Sequence, residues 1–101
     1  AGYRYEKDRL KRMIPEMVAG PEKLLAMVEG PAVFVGNGAV SYRRMLTENL
    51  GDSAHFAQDL HNTIHAATVA RIALSQLESE GCDAAEIKPV YLRKSDAEIN
   101  L

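Results

Sequence analysis

The hydrophobic positions fall into short runs set off by glycine, proline and charge, and the spacing within each run says which element it builds. Ala1 to Tyr5 and Arg9 to Ile14 read as two short strands. The polar connection Glu6-Lys7-Asp8 between them is short enough for a hairpin. The second strand carries its basic residues outward and offers Leu10 to the core, and Pro15, lacking a backbone donor, ends it or sets it at a sheet edge. Gly20-Pro21-Glu22 starts a helix whose apolar stripe is Leu24, Leu25 and Val28, and Gly30-Pro31 stops it. The unbroken run Ala32-Val33-Phe34-Val35 predicts a central strand buried on both faces, closed by a tight turn at Gly36-Asn37-Gly38.

A helix is predicted from about Ala39 to Asn49, with Tyr42, Met45 and Leu46 inward, Arg43 and Arg44 outward, and Gly51 as its stop. The longest helix is expected from about Asp59 to Glu80. Ile64, Ala67, Ala70, Leu74 and Leu77 form one apolar stripe there, and Ala66, Val69 and Ala73 a second. Such a helix lies under other elements or forms an interface. Lys88 to Arg93 reads as a short extended piece before a polar tail from Lys94 to Leu101. The order is therefore β-β-α-β-α-α with a C-terminal extension, an α/β fold without internal repeats.

A chain of 101 residues supports one domain. It buries roughly 65% of the surface its unfolded form exposes, enough for one modest core. The hydrophobic fraction of 47% and the charged fraction of 26% match globular averages and argue against disorder. No run approaches the ~18 to 20 apolar residues of a bilayer span, and Tyr3 to Asp8 are wrong for a signal core, so a soluble protein off the membrane is expected. Cys82 is the single cysteine. It allows no internal disulfide and points to a reducing, cytoplasmic compartment, and no flanking His or basic residue activates its thiol. The chain opens at Ala1 without a methionine, inside strand-like sequence, as a processed, proteolysed or truncated chain would, or one freed of a tag.

The net charge of −2 is unevenly spread. Arg4, Lys7, Arg9, Lys11 and Arg12 crowd the first strands, while Glu78, Glu80, Asp83 and Glu86 dominate later. A basic end can meet phosphate, and alternating charge on a strand is also the ordinary mark of a solvated face.

Candidate chemistry is sparse. His61 and His65 stand four apart, on one face of the expected helix. Zincin chemistry needs a Glu after the first His, and Asn62 is there, with no third ligand placed nearby. No metal is expected, and His55 falls in a loop. Ser41, Ser53, Ser75 and Ser79 lack a nucleophile elbow, so no catalytic residue is assigned. There is no Walker loop or dinucleotide fingerprint, and no cofactor is expected. The turn Gly36, Asn37, Gly38 is the one candidate binding element. A strand ending in glycines before a helix lets backbone amides approach a nucleotide, while the same glycines serve equally well as a purely structural turn.

Two segments, with the order of elements, resemble one family. Ala32-Val33-Phe34-Val35-Gly36-Asn37-Gly38-Ala39 followed by Tyr42-Arg43 is similar to a core stretch of the TsaB (YeaZ) family. Pro89-Val90-Tyr91-Leu92-Arg93-Lys94-Ser95-Asp96-Ala97-Glu98 resembles that family's C-terminal signature, and Tyr3 to Met17 is compatible with its preceding hairpin. The resemblance covers essentially the whole chain and the C-terminal half of a family member. It implies a ribonuclease-H-like, actin-like ATPase fold, here with a partial mixed sheet. It also implies a non-catalytic accessory role beside a TsaD-like catalytic paralogue and a TsaE-like ATPase, which install threonylcarbamoyl on adenosine 37 of tRNA. Contact with tRNA would then be indirect.

The older glycoprotease name of the group comes from the paralogue, whose paired metal histidines find no match in His61-Asn62-Thr63-Ile64-His65. Two rival readings stand beside this one: a nucleotide-binding actin-like domain with residual ATPase activity, and a metal-dependent peptidase. The family's N-terminal domain would be missing, leaving the strand at Ala1 to Tyr5 as an open edge and the long helix with uncovered apolar faces. Self-association, most simply as a homodimer, is expected from that, or else a chain that needs its missing half for stability.

Overall fold

The computed structural model describes residues 1–81 and 84–94. Cys82, Asp83, the Ser95 to Glu98 part of the C-terminal signature and the rest of the tail lie outside the described residues. The chain forms a small mixed α/β fold with helices and two two-stranded sheets. It divides into two compact units, residues 1–27 with 88–101, and residues 28–87.

In the first unit β1 (Gly2–Glu6) and β2 (Arg9–Ile14) pair antiparallel, with Tyr3 opposite Arg12, Tyr5 opposite Leu10 and Glu6 opposite Arg9. Lys7 and Asp8 take φ of 50° and 64° at the two central positions of the connection. Positive φ at both is the conformation whose twist matches that of the strands it joins, and Asp tolerates it better than most residues. The register slips between Gly2 and Tyr3, leaving Met13 as an extra residue in β2. At that slip a Cβ on Gly2 would lie 3.0 Å from the Ile14 side chain.

Leu10, expected inward, is 59% exposed, because no further layer covers its face of the two-stranded ribbon. Surface ion pairs join Lys11 to Glu6 at 3.6 Å and Arg12 to Glu16 at 2.6 Å. Helix α1 (Pro21–Met27) begins where Gly-Pro-Glu predicts and ends just before Val28. Lys88 to Arg93 joins no sheet among the described residues.

The second unit is a β-α-β crossover followed by a long helix. Strand β3 (Ala32–Phe34) runs parallel to β4 (Ala54–Phe56), with Ala32 opposite Ala54, Val33 opposite His55 and Phe34 opposite Phe56. Strand β4 replaces the loop expected around His55. Between the two strands lie α2 (Asn37–Ser41), α3 (Arg43–Leu50) and a 3-10 turn at Gly51–Ser53. The single helix expected over 39–49 is thus two, divided at Tyr42, whose ψ of 13° leaves the helical range. Gly51, with φ 55°, stops α3 where expected.

Strand β3 is not covered on both faces. Ala32 and Phe34, with Ala54 and Phe56, form a half-buried side, while Val33 is 65% exposed and shares the open side with Val35 and His55. One two-stranded sheet with helices packed against one face leaves the other face bare. Helix α3 packs against β4, and among the described residues Leu46 of α3 and Ala39 are the buried hydrophobic ones.

The expected helix 59–80 also divides. A 3-10 turn occupies Asp59–Asn62, the backbone extends through Thr63, and α4 spans Ala66–Glu80 with His65 as its N-cap. Gly81 (φ 72°) ends α4 by donating its N–H to the Leu77 carbonyl at 3.0 Å. No residue of α4 is buried. Among the described residues no helix is long and apolar enough to cross a membrane.

Candidate functional site

The C-terminal ends of parallel strands are where α/β units place ligands, because the chain leaves the sheet there and backbone groups turn outward. In the second unit that place is the end of β3 and β4. Ala57 donates its N–H to the Phe34 carbonyl at 3.0 Å, carrying the ladder one residue past β4. The Phe34 and Phe56 rings sit side by side, 5.8 Å between centroids and tilted by 35°. The guanidinium of Arg43 lies 4.6 Å above the Phe56 ring, within cation–π range.

The glycine turn closes this end. Gly36 has φ 101° and ψ −179°, a region open essentially to glycine alone. Its N–H donates to Asn62 Oδ1 at 2.8 Å, across 26 residues of sequence. Its carbonyl accepts from Val40 N–H at 3.3 Å, and that of Gly38 accepts from Tyr42 N–H at 2.9 Å. Asn37 opens α2, and Gly38 has no positive φ and open space where a Cβ would stand. Of the turn's two glycines, only Gly36 is required by backbone geometry.

Beside the turn lies a cavity of about 50 Å³ lined by Phe34, Ala39, Arg43, Phe56, Asp59 and Asn62, among others. None of Gly36, Asn37 and Gly38 lines it. Its volume suits one or two waters, far below the roughly 300 Å³ at which small-molecule pockets begin.

The histidines are not brought onto one helix face. His61 sits in the 3-10 turn and His65 before α4, its Nε2 donating to the Leu60 carbonyl at 2.7 Å. Among the described residues no three His, Cys, Asp or Glu side chains are grouped to hold a metal. The serines are dispersed: Ser41 ends α2, Ser53 lies in a 3-10 turn, and Ser75 and Ser79 are on α4, where Ser79 donates to the Gln76 carbonyl at 3.2 Å. The residue that sequence reasoning missed is Asn62. The sequence marks it only as a departure from a metal motif, and nothing local shows that its amide reaches back to Gly36.

In the first unit Arg12 pairs with Glu16. The hydrogen bond from the guanidinium, more than simple charge attraction, holds the Glu16 carboxyl below the usual carboxylate range, and the same bond raises Arg12. Both groups stand in solvent, so the pair is a surface feature. Comparison of the chain with protein-family models, with curated proteins and with solved structures finds no match.

Proposed function

We propose that the chain is a non-catalytic accessory part of the cytoplasmic machinery that makes threonylcarbamoyladenosine in tRNA, carrying the C-terminal half of a TsaB-like, actin-like subunit. The carrying observation is the segment Ala32 to Ala39 with Tyr42-Arg43, which resembles the family core. That segment forms strand β3, the Gly36 turn and the start of a helix. The bare side of β3 and the uncovered α4 support a part that is completed by a neighbour, a TsaD-like paralogue together with a TsaE-like ATPase, over one that works alone. The cavity beside the turn is sized for water, which favours this scaffold reading over the nucleotide-binding one. The test is deletion of the gene that encodes the chain, followed by mass spectrometry of nucleosides from total tRNA. Loss of threonylcarbamoyladenosine, restored by the gene on a plasmid, supports the assignment. An unchanged level of the modified nucleoside overturns it.

A further inference from the structure

The charge of the chain divides along its two compact units. The first unit, residues 1–27 with 88–101, holds nine of the twelve Lys and Arg and six of the fourteen Asp and Glu, a net of +3. The second, residues 28–87, holds three basic and eight acidic residues, a net of −5. The whole-chain value of −2 therefore hides a basic piece, and charge segregated in this way marks a surface for a polyanion.

Within that piece the basic residues crowd the β1–β2 hairpin, and the strand pairing sorts them. Tyr3 opposite Arg12 and Tyr5 opposite Leu10 lie on one face, and Arg4 opposite Lys11 and Glu6 opposite Arg9 on the other. Tyr3 is 56% and Tyr5 73% exposed. Lys11 is engaged by Glu6 and Arg12 by Glu16, so among the described residues Arg4, Lys7 and Arg9 have no ion-pair partner. Contact with water accounts for the mixed charges of the second face. It does not account for two open rings on the first.

We infer that the hairpin is a platform for single-stranded RNA, with one base stacked on Tyr3, another on Tyr5, and Arg4, Lys7 and Arg9 holding the adjoining phosphates. Two residues of strand part the rings by about 6.8 Å, twice the ~3.4 Å rise along one strand of a duplex. Bases seated on both rings are therefore unstacked from each other, which a single strand permits and a duplex does not. A ribbon only two strands wide lets the long arms of Arg4 and Arg9 reach round its edges, and Lys7 stands at the turn beyond Tyr5.

RNA is the occupant rather than DNA because splayed, unpaired bases are found in the loops, bulges and ends of RNA. The rings also favour RNA over an anionic lipid surface, which has no base to stack. The site goes beyond the accessory role proposed above and does not rest on it. It replaces the indirect RNA contact that the resemblance implies with a direct one. Two stacked bases and three cations make a weak site, with binding at low salt expected at about 10 to 100 micromolar.

Fluorescence anisotropy of a dye-labelled single-stranded RNA of about twelve nucleotides, titrated with the chain between about 50 and 200 mM salt, tests this. Three phosphate contacts predict an affinity that falls about twentyfold across that range, and Arg4→Gln/Arg9→Gln should reduce the fall to about threefold. Tyr3→Leu/Tyr5→Leu should weaken binding about tenfold or more without changing the salt dependence, whereas Tyr3→Phe/Tyr5→Phe keeps the rings and stays within about twofold. Arg71→Gln on α4 serves as the control and leaves binding unchanged. Cross-strand NMR contacts between positions 5 and 10 check that every variant keeps the hairpin. Absence of binding at about 1 mM protein and the lowest salt overturns the inference, as does binding that the leucine variant retains in full. Tighter binding of an RNA duplex, of DNA of the same sequence or of phosphatidylserine vesicles also overturns it. The anisotropy reads RNA directly, so its outcome is independent of the modified-nucleoside level in the deletion strain.

Discussion

Asn62 accepts the Gly36 amide proton on Oδ1 at 2.8 Å, so the 3-10 turn after β4 is fastened to the turn that follows β3. Both groups are partly withdrawn from water, which makes the bond worth more than a surface contact. Asn62→Ala removes the acceptor and leaves the Gly36 N–H without its partner. The expected loss is about 1 to 2 kcal/mol from the second unit, with Asn62→Asp much milder because a carboxylate still accepts. Hydrogen exchange read at the Gly36 amide is the direct check: about tenfold faster exchange in the alanine variant, and near-normal exchange in the aspartate one.

The two glycines of the turn should respond differently. At Gly36 any Cβ meets φ 101°, which L side chains rarely adopt, so Gly36→Ala should cost about 1 to 3 kcal/mol although no atom lies in its way. Gly38 sits in α2 with ordinary φ and free space, so Gly38→Ala should be neutral or stabilising by up to about 1 kcal/mol through helix propensity. Paired thermal melts followed by circular dichroism separate the two. Equal destabilisation would mean the turn is not built as described.

Leu46 carries the small core. It is 2% exposed on α3, whereas Leu77 on α4 is 49% exposed. Leu46→Ala should therefore cost about 2 to 5 kcal/mol, enough to unfold the second unit in part. Leu77→Ala, in dilute protein where copies do not meet, should stay within about 0.5 kcal/mol. Urea titrations of both variants at one low concentration provide the comparison.

The Arg12–Glu16 pair predicts a pH dependence of definite sign. Glu16 is held below its ordinary value by the hydrogen bond from Arg12, so its contribution is present above the usual carboxylate range. It disappears as pH falls through the lowered value, while Arg12 stays charged throughout. Titration of the Glu16 carboxyl by NMR should show the depression, and Arg12→Gln should move the midpoint upward. Added salt should shrink the difference, since both groups are solvated.

Much of the local structure is legible in the sequence. The hairpin follows from two short strands around a polar turn, α1 from Gly-Pro-Glu, and the stop of α3 from Gly51. What fails is whatever depends on pairing across distance. Strand β4 is only Ala54-His55-Phe56, too short to show a period, and exists because β3 lies beside it. The run Ala32 to Val35 announces a strand but cannot say which faces are covered, and Val33 and Val35 prove open. Spacing alone places Ile64 in the stripe of the long helix, yet it precedes α4 and is 86% exposed. At the candidate site, Gly36, Asn37 and Gly38 were legible as a turn, while the Asn62 link was not, because a side chain reaching back 26 residues leaves no local pattern.

The parallel pairing of β3 with β4 also has a consequence in time. The β1–β2 hairpin needs only the Lys7-Asp8 turn to bring its strands together, an event of about 1 to 10 microseconds. Strands β3 and β4 cannot meet until two helices and a 3-10 turn have closed the crossover between Phe34 and Ala54, so their ordering bears the larger entropy of loop closure. The amide of Gly36, held from beyond β4, is then the last to gain protection. In a pulse-labelled refolding experiment it should lag the hairpin amides, recording when the second unit latches shut.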